Sequence, residues 1–194
     1  MTNSIVLASS SSYRRQLLQR LRVPFDVVAP QVDETPSGGE TPLQTARRLA
    51  LLKASTVALN HPGAIVIGSD QVAEMDGLAL GKPGTHEQAL QQLIAMQGRN
   101  VVFHTALAVL RHSDERACTD CVDTWVRFRR LSPEALEAYL RLDQPYDCAG
   151  AAKIESLGIC LVESVRSDDP TALIGLPLIS LTTMLAACGV ALPR

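Results

Sequence analysis

The sequence contains no apolar run near the roughly 20 residues that span a bilayer. Its opening, MTNSIVLASSSSYRR, places arginines after a short apolar run rather than before it, the reverse of a secretory signal. A cytoplasmic protein with no membrane partner is expected. Charge of one sign is also missing. Eighteen basic and 20 acidic residues leave a net charge of -2, which provides no global field for holding a polyanion. A nucleic acid polymer is therefore not an expected partner, and any anionic ligand must meet a local basic cluster. Cysteines are few and odd in number: Cys118, Cys121, Cys148, Cys160 and Cys188. That count argues against a disulfide-stapled secreted domain. Cys118 and Cys121 form a lone C-x-x-C inside the alternating run ACTDCVDTWVRF, with no second pair to complete a four-ligand zinc site. They read as ordinary strand residues.

Two phosphate-binding signatures are absent as well. Neither the G-x-x-x-x-G-K-[ST] loop nor a G-x-G-x-x-G fingerprint occurs, so kinase-like and dehydrogenase readings lose their main support. There are no repeats, low-complexity stretches or linkers. What is present is a 46% hydrophobic chain of 194 residues, enough for one substantial core or two small lobes sharing a cleft.

Periodicity organises the chain. SIVLAS reads as a buried strand and YRRQLLQRLRV as an amphipathic helix, followed by the strand FDVVAP. Thr41 and Pro42 mark the N-cap and first position of a long helix that ends at His61-Pro62-Gly63. AIVIGSD is a continuous apolar run that ends in polar residues, the pattern of a central strand delivering Asp70 to a ligand crevice. Asp76-Gly77 signals a hairpin turn. Thr85 caps the next helix and Gly98 stops it. NVVFHTALAVLRH and ACTDCVDTWVRFRR predict two long antiparallel strands joined at SDE. SPEALEAYLRL is a helix, GICLVESV a strand and LPLISLTTMLAACGV a helix. The order of elements predicts an α/β protein with a mixed sheet and no clean domain boundary.

The strand-to-helix segment Ser9-Ser10-Ser11-Ser12-Tyr13-Arg14-Arg15 combines helix N-terminal amides, hydroxyls and two guanidinium groups, all suited to phosphate oxygens. Four other polar groupings stand out. They are Gln31-Val32-Asp33-Glu34, Lys53-Ala54, Gly68-Ser69-Asp70-Gln71 and Gly81-Lys82-Pro83.

With LASSSSYRR, these segments resemble the Maf family of nucleotide pyrophosphatases in content and order. The later segments PYDCAGAAKIE (145–155) and DPTALIGLPL (169–178) extend the resemblance from residue 4 to about 185. It implies a single Maf-like domain over 1–194, with a mixed twisted sheet, flanking helices and two lobes around a central cleft, as in Maf and ITPase-like proteins. It places Ser9, Arg14, Arg15, Lys53 and Lys82 on substrate phosphates. Asp70 falls on the family's proposed proton acceptor, and Glu34 on a further polar position of the active site. The chemistry agrees with these residue types. Four cations can neutralise a triphosphate and its diphosphate leaving group. Asp70 can orient or deprotonate water, or bind Mg²⁺ or Mn²⁺ with Glu34. Sequence leaves both roles of Asp70 open.

Tyr13, Gln71 and Glu155 resemble the 7-methyl-GTP branch of the family, which often carries tryptophan where this chain has Tyr13. N7-methylation makes guanine cationic, and a cation stacks on an aromatic face with about 0.5–2 kcal/mol. Glu155 can accept hydrogen bonds from the guanine edge, whereas a uracil or thymine would leave it partly unpaired at a cost of about 1–3 kcal/mol. Pyrimidine triphosphates such as dTTP and UTP are the alternative substrates, and a non-catalytic nucleotide sensor in division control is the alternative class. The resemblance also implies a homodimer. Asp168 and Asp169 read as structural caps, and His104 receives no role.

Overall fold

The computed structural model describes residues 4–114 and 116–193. Its centre is a seven-stranded mixed sheet ordered β2-β1-β3-β5-β6-β7, with β4 paired to β3. The strands are β1 (Ile5–Ala8), β2 (Asp26–Val28), β3 (Ile65–Met75), β4 (Leu78–Leu80), β5 (Asn100–Arg111), β6 (Arg116–Phe128) and β7 (Val162–Arg166). β1 lies parallel to β2 and β3, and every other pairing is antiparallel. This is the mixed α/β architecture expected from the element order.

Among the described residues, five α-helices flank the sheet: α1 (Ser12–Gln19), α2 (Pro42–Ala58), α3 (His86–Met96), α4 (Pro133–Asp143) and α5 (Leu178–Ala187). Their starts follow local chemistry. Ser11 accepts from the Arg14 amide, Thr85 from Gln88 and Ser132 from Ala135, while Thr41 and Gln44 form a reciprocal capping box. The hairpin between β3 and β4 turns at Asp76 and Gly77, with φ of 54° and 81°, the paired positive angles of a type I′ turn.

Three expectations need correction. β3 does not end at Asp70 but runs on to Met75, because β5 pairs with it from Val66 to Glu74. α1 stops at Gln19, short of the expected Val23, and Arg22 takes a positive φ of 55°. Residues Leu157–Leu161 form a 3-10 turn before β7 instead of the start of the strand. The expected SDE turn begins as a 3-10 turn at His112–Asp114, and its Glu115 lies outside the described residues.

Strand alternation divides the core. Along β3, Val66 and Gly68 face α2, where Ala46, Ala50, Ala54 and Val57 pack on the sheet. The opposite face carries two separate apolar clusters. Ile65 and Ile67 of β3 join Leu107 and Val109 of β5 under α1 and α5, and Ala73 joins Val101 and Phe103 under α3 and α4. Between them the same face presents Ser69, Gln71 and Thr105, a polar seam that separates two lobes on one continuous sheet.

Candidate active site

β1 pairs with β3 only from Ile65 to Gly68, and β4 takes up the same edge only from Ala73 to Met75. The interval Ser69–Val72 therefore has an unpaired edge in the middle of the sheet. A cleft of about 530 Å³ opens there, lined by the α1 start, the Glu34 loop, Asp70, Gln71, Lys82 and the segment from Asp147 to Glu155.

Lys53 and Asp70 meet at the base of this cleft. Lys53 reaches from α2, and its Nζ lies 2.7 Å from Asp70 Oδ1 and 2.7 Å from Glu34 Oε1. Gly68 sets the approach of α2. A Cβ there would sit 2.3 Å from the Ala50 carbonyl oxygen and 2.7 Å from the Ala54 amide nitrogen. Glu34 sits on a more exposed loop. Desolvation works against its charge, but the hydrogen bond and charge of Lys53, with Lys82 and Arg14, outweigh it and lower its pKa.

That loop is tied down from behind. Glu40 accepts from Arg48 Nε at 2.7 Å and from the Ser37 amide at 3.0 Å, while Arg48 also donates to the Thr35 carbonyl. These bonds hold the Glu40 carboxyl down at a pKa of about 2.

The α1 start brings amides, hydroxyls and a guanidinium to one end of the cleft, groups suited to an anion. Ser9 is buried and accepts from the Ser11 amide, and Arg14 donates through Nε to the Gly175 carbonyl at 2.8 Å. Burial lowers the Arg14 pKa against the opposing charges of Asp70 and Glu34, yet a guanidinium stays protonated. Arg15 is placed differently from its neighbour Arg14. It is exposed and lies outside the cleft lining, since successive helix residues point about 100° apart. Lys82 is exposed on the opposite rim.

Tyr13 and Glu155 come together in the same cleft although 142 positions separate them in sequence. Desolvation, then Cys148 and against Lys153, raises the Tyr13 pKa, and desolvation is also the largest cause raising that of Glu155. The Cys148 thiol on this wall is pushed up to about 12, chiefly by burial, and stays neutral. Gln71 also lines the cleft, but its Nε2 donates to Thr105 Oγ1 and to the Ala172 and Leu173 carbonyls at 2.9–3.0 Å. Its visible task is to fasten the 172–175 turn over the polar seam.

Sequence reasoning missed the residues that complete this fastening. Ser69 Oγ donates to the Gly175 carbonyl and Thr105 Oγ1 to that of Ala172. A hydroxyl at each position inside otherwise apolar strands was the available signal. Asp169 has the structural role expected of it, accepting from the Thr171 and Ile179 amides, with Asp168 exposed beside it. His104, which received no role, bridges Asp123 at 2.7 Å and Glu74 at 3.0 Å across three strands. Cys118 and Cys121 both lie on β6, three apart and so on opposite faces.

An ion-paired carboxylate at a break in a sheet edge, ringed by Lys53, Arg14, Lys82 and a helix N-terminus, defines an α/β protein with an anion-binding cleft of phosphate type. The family follows from comparison. The chain belongs to the Maf family, whose model, described as Maf-like protein, matches residues 4–188. Similar proteins include two named 7-methyl-GTP pyrophosphatase. The one from Cupriavidus metallidurans is 57% identical over 96% of this chain and 94% of its own. The one from Burkholderia thailandensis is 60% identical over 95% and 87% respectively. Among solved structures, the Staphylococcus aureus Ham1 protein aligns with a TM-score of 0.48 and 18% identity, covering 65% of this chain and 72% of that one. No helix among the described residues is long and apolar enough to cross a membrane.

Proposed function

We propose that this protein hydrolyses 7-methyl-GTP to 7-methyl-GMP and diphosphate, removing a modified nucleotide from the pool. The observation that carries the reading is the pairing of Tyr13 and Glu155 in the cleft that also holds Lys53 and Asp70. High-identity relatives named for this activity support it.

In the reaction, water attacks the α-phosphorus and the bond to the bridging oxygen breaks, so diphosphate leaves with the new negative charge. Arg14, Lys53 and Lys82 bind the phosphate chain and offset that charge. Ser9 and the α1 amides orient the phosphates. Lys53 holds Asp70 through Oδ1, and among the described residues Oδ2 has no partner, so that oxygen is free to orient the attacking water and accept its proton.

Glu34 and Asp70 suit a hard divalent cation such as Mg²⁺ or Mn²⁺, since both are carboxylates that share one neighbour and each keeps an oxygen unpaired. No group of three potential ligands occurs among the described residues, and two carboxylates completed by substrate oxygens is the usual way such an ion is held on a nucleotide. When bound, the ion would add Lewis-acid polarisation of the phosphate oxygens.

The test is a panel of triphosphates with Mg²⁺ or Mn²⁺, scored for monophosphate and diphosphate release. Fastest turnover on 7-methyl-GTP is expected. Preference for UTP or dTTP would move the assignment to pyrimidines, orthophosphate release would move the cleavage position, and no turnover would favour a nucleotide sensor.

A further inference from the structure

The Gly175 carbonyl, on the lining of the cleft, receives two side-chain donors. Arg14 Nε donates to its oxygen at 2.8 Å and Ser69 Oγ at 3.0 Å. Gly175 takes a φ of 119°, a backbone conformation open to glycine and strained for other residues. Its amide closes the turn by donating to the Ala172 carbonyl at 2.8 Å. Side chains of the sheet hold that turn in place. Thr105 Oγ1 donates to the Ala172 carbonyl at 2.9 Å, and Gln71 Nε2 to the Ala172 and Leu173 carbonyls at 3.0 Å. Ser69 and Thr105 are fully buried and neither lines the cleft, so any effect they have on a ligand passes through the turn.

Tethered through Nε, Arg14 keeps both Nη groups without a partner among the described residues. Asp70 and Glu34 are opposite charges that act on this guanidinium. Among the described residues, however, both carboxylates ion-pair with Lys53 and neither with Arg14. A guanidinium bonds a carboxylate more strongly than a neutral carbonyl, often through two parallel hydrogen bonds. An untethered Arg14 would therefore fold onto the carboxylates, occupying the donors that a phosphate needs. Resting on the reading of Arg14 as a phosphate-binding group, we infer that Ser69 is a positioning residue for triphosphate binding. Its hydroxyl fixes the Gly175 carbonyl, and that carbonyl holds the Arg14 guanidinium off Asp70 and Glu34 with both Nη groups free for phosphate. Thr105 serves the same end from β5, through the Ala172 carbonyl.

The experiment compares the wild type with Ser69→Ala, Arg14→Met and the double variant, and runs the same cycle with Thr105→Val in place of Ser69→Ala in case the latter fails to fold. Binding of inorganic tripolyphosphate is measured by titration calorimetry, and kcat and KM for 7-methyl-GTP by steady-state rates. Ser69→Ala is expected to weaken tripolyphosphate binding about fivefold and to raise KM by a similar factor, with the smaller effect on kcat. Thr105→Val should move both quantities in the same direction. In the Arg14→Met background neither substitution should cause further loss, because the group they position is gone. A purely structural role would give the same loss in both backgrounds, and that result overturns the inference. Wild-type tripolyphosphate affinity in a folded Ser69→Ala variant overturns it too, as does a wild type that does not bind tripolyphosphate. If the wild type binds tripolyphosphate but does not turn over 7-methyl-GTP, the functional reading fails by itself, and the binding cycle still decides the role of Ser69.

Discussion

Lys53 and Asp70 join α2 to β3 through a contact of 2.7 Å, with side-chain exposures of only 5% and 10%. A pair taken so far out of water stabilises little as a pair, but either member left alone is costly. The contact therefore couples folding to the site: the charge that positions Asp70 is also the charge that makes its burial tolerable.

Lys53→Met should expose that coupling. Removing the ammonium leaves Asp70 and Glu34 facing each other, and a loss of about 3 kcal/mol is expected, the lower end for breaking a buried pair because the cleft admits water. Asp70→Asn should abolish turnover while leaving a folded protein that still binds nucleotide. The double variant should recover most of the stability and none of the activity. Urea unfolding with steady-state rates closes the cycle. Additive stability losses would show that the two side chains are not coupled.

Gly68→Ala tests how α2 is placed. The new methyl would meet the Ala50 carbonyl oxygen at 2.3 Å, the Ala54 amide nitrogen at 2.7 Å and the Ala54 Cβ at 2.8 Å. Two of these are helix backbone, which yields only if α2 moves. A loss at the upper end of about 1–3 kcal/mol is expected, together with a fall in kcat, because Lys53 lies between Ala50 and Ala54 on the displaced helix. Wild-type thermal stability would show that the sheet and helix have slack at this point.

That role of Gly68 marks how much the sequence disclosed. Caps, the Asp76-Gly77 hairpin and the long antiparallel strands were legible because each depends on neighbours within a few residues. The length of β3 was not. Ser69, Asp70 and Gln71 interrupt an apolar run and so resemble a strand end, but Ser69 and Gln71 are polar because a turn more than 100 positions away hydrogen-bonds to them. Arg15 looked equivalent to Arg14 beside it, and only the helical rotation of α1 separates the one in the cleft from the one in solvent. The pairing of Tyr13 with Glu155 came from a family pattern, since local sequence has no means of joining positions 13 and 155.

Glu155→Gln should lower the preference for 7-methyl-GTP over UTP at least about tenfold, a difference of roughly 1.4 kcal/mol. The amide keeps the size of the side chain but loses the charge that offsets a cationic base. Because burial raises the Glu155 pKa, the wild-type preference should also weaken as pH falls and the carboxyl protonates, while that of the Gln variant stays flat. Competition assays across acidic and neutral pH read both effects. An unchanged ratio in the variant would remove Glu155 from base recognition.

Glu40 predicts a pH dependence of a different kind. Its folded pKa of about 2 lies below the ordinary 4.5, mainly through Arg48 and the Ser37 amide. A depressed carboxyl contributes stability that is complete above the unfolded value and is lost as pH falls from about 4.5 toward 2. Glu40→Gln should therefore be less stable than wild type at neutral pH and indistinguishable from it near the acid limit. Its Glu34 loop should also be cut sooner by protease at neutral pH. A stability gap that does not change with pH would mean that packing, not charge, anchors the loop.

The last prediction concerns the order in which metal and substrate bind. In the nucleotide-free protein Lys53 already supplies a cation to both Glu34 and Asp70, at 2.7 Å from each. A divalent ion entering alone would meet that ammonium as a like charge, with only two carboxylates to replace its water. A triphosphate changes the balance in two ways. It brings further oxygen ligands, and its charge draws on Lys53, Arg14 and Lys82, which relieves the repulsion. Mn²⁺ should therefore bind weakly to the free protein and at least about tenfold more tightly with a non-hydrolysable triphosphate analogue, and the analogue should gain the same factor from Mn²⁺. Titration of free Mn²⁺ by electron paramagnetic resonance measures the first factor and equilibrium dialysis of the analogue the second. Tight uptake of Mn²⁺ by the nucleotide-free protein would mean that Lys53 leaves the carboxylates readily, and would give the metal a place in the site independent of substrate.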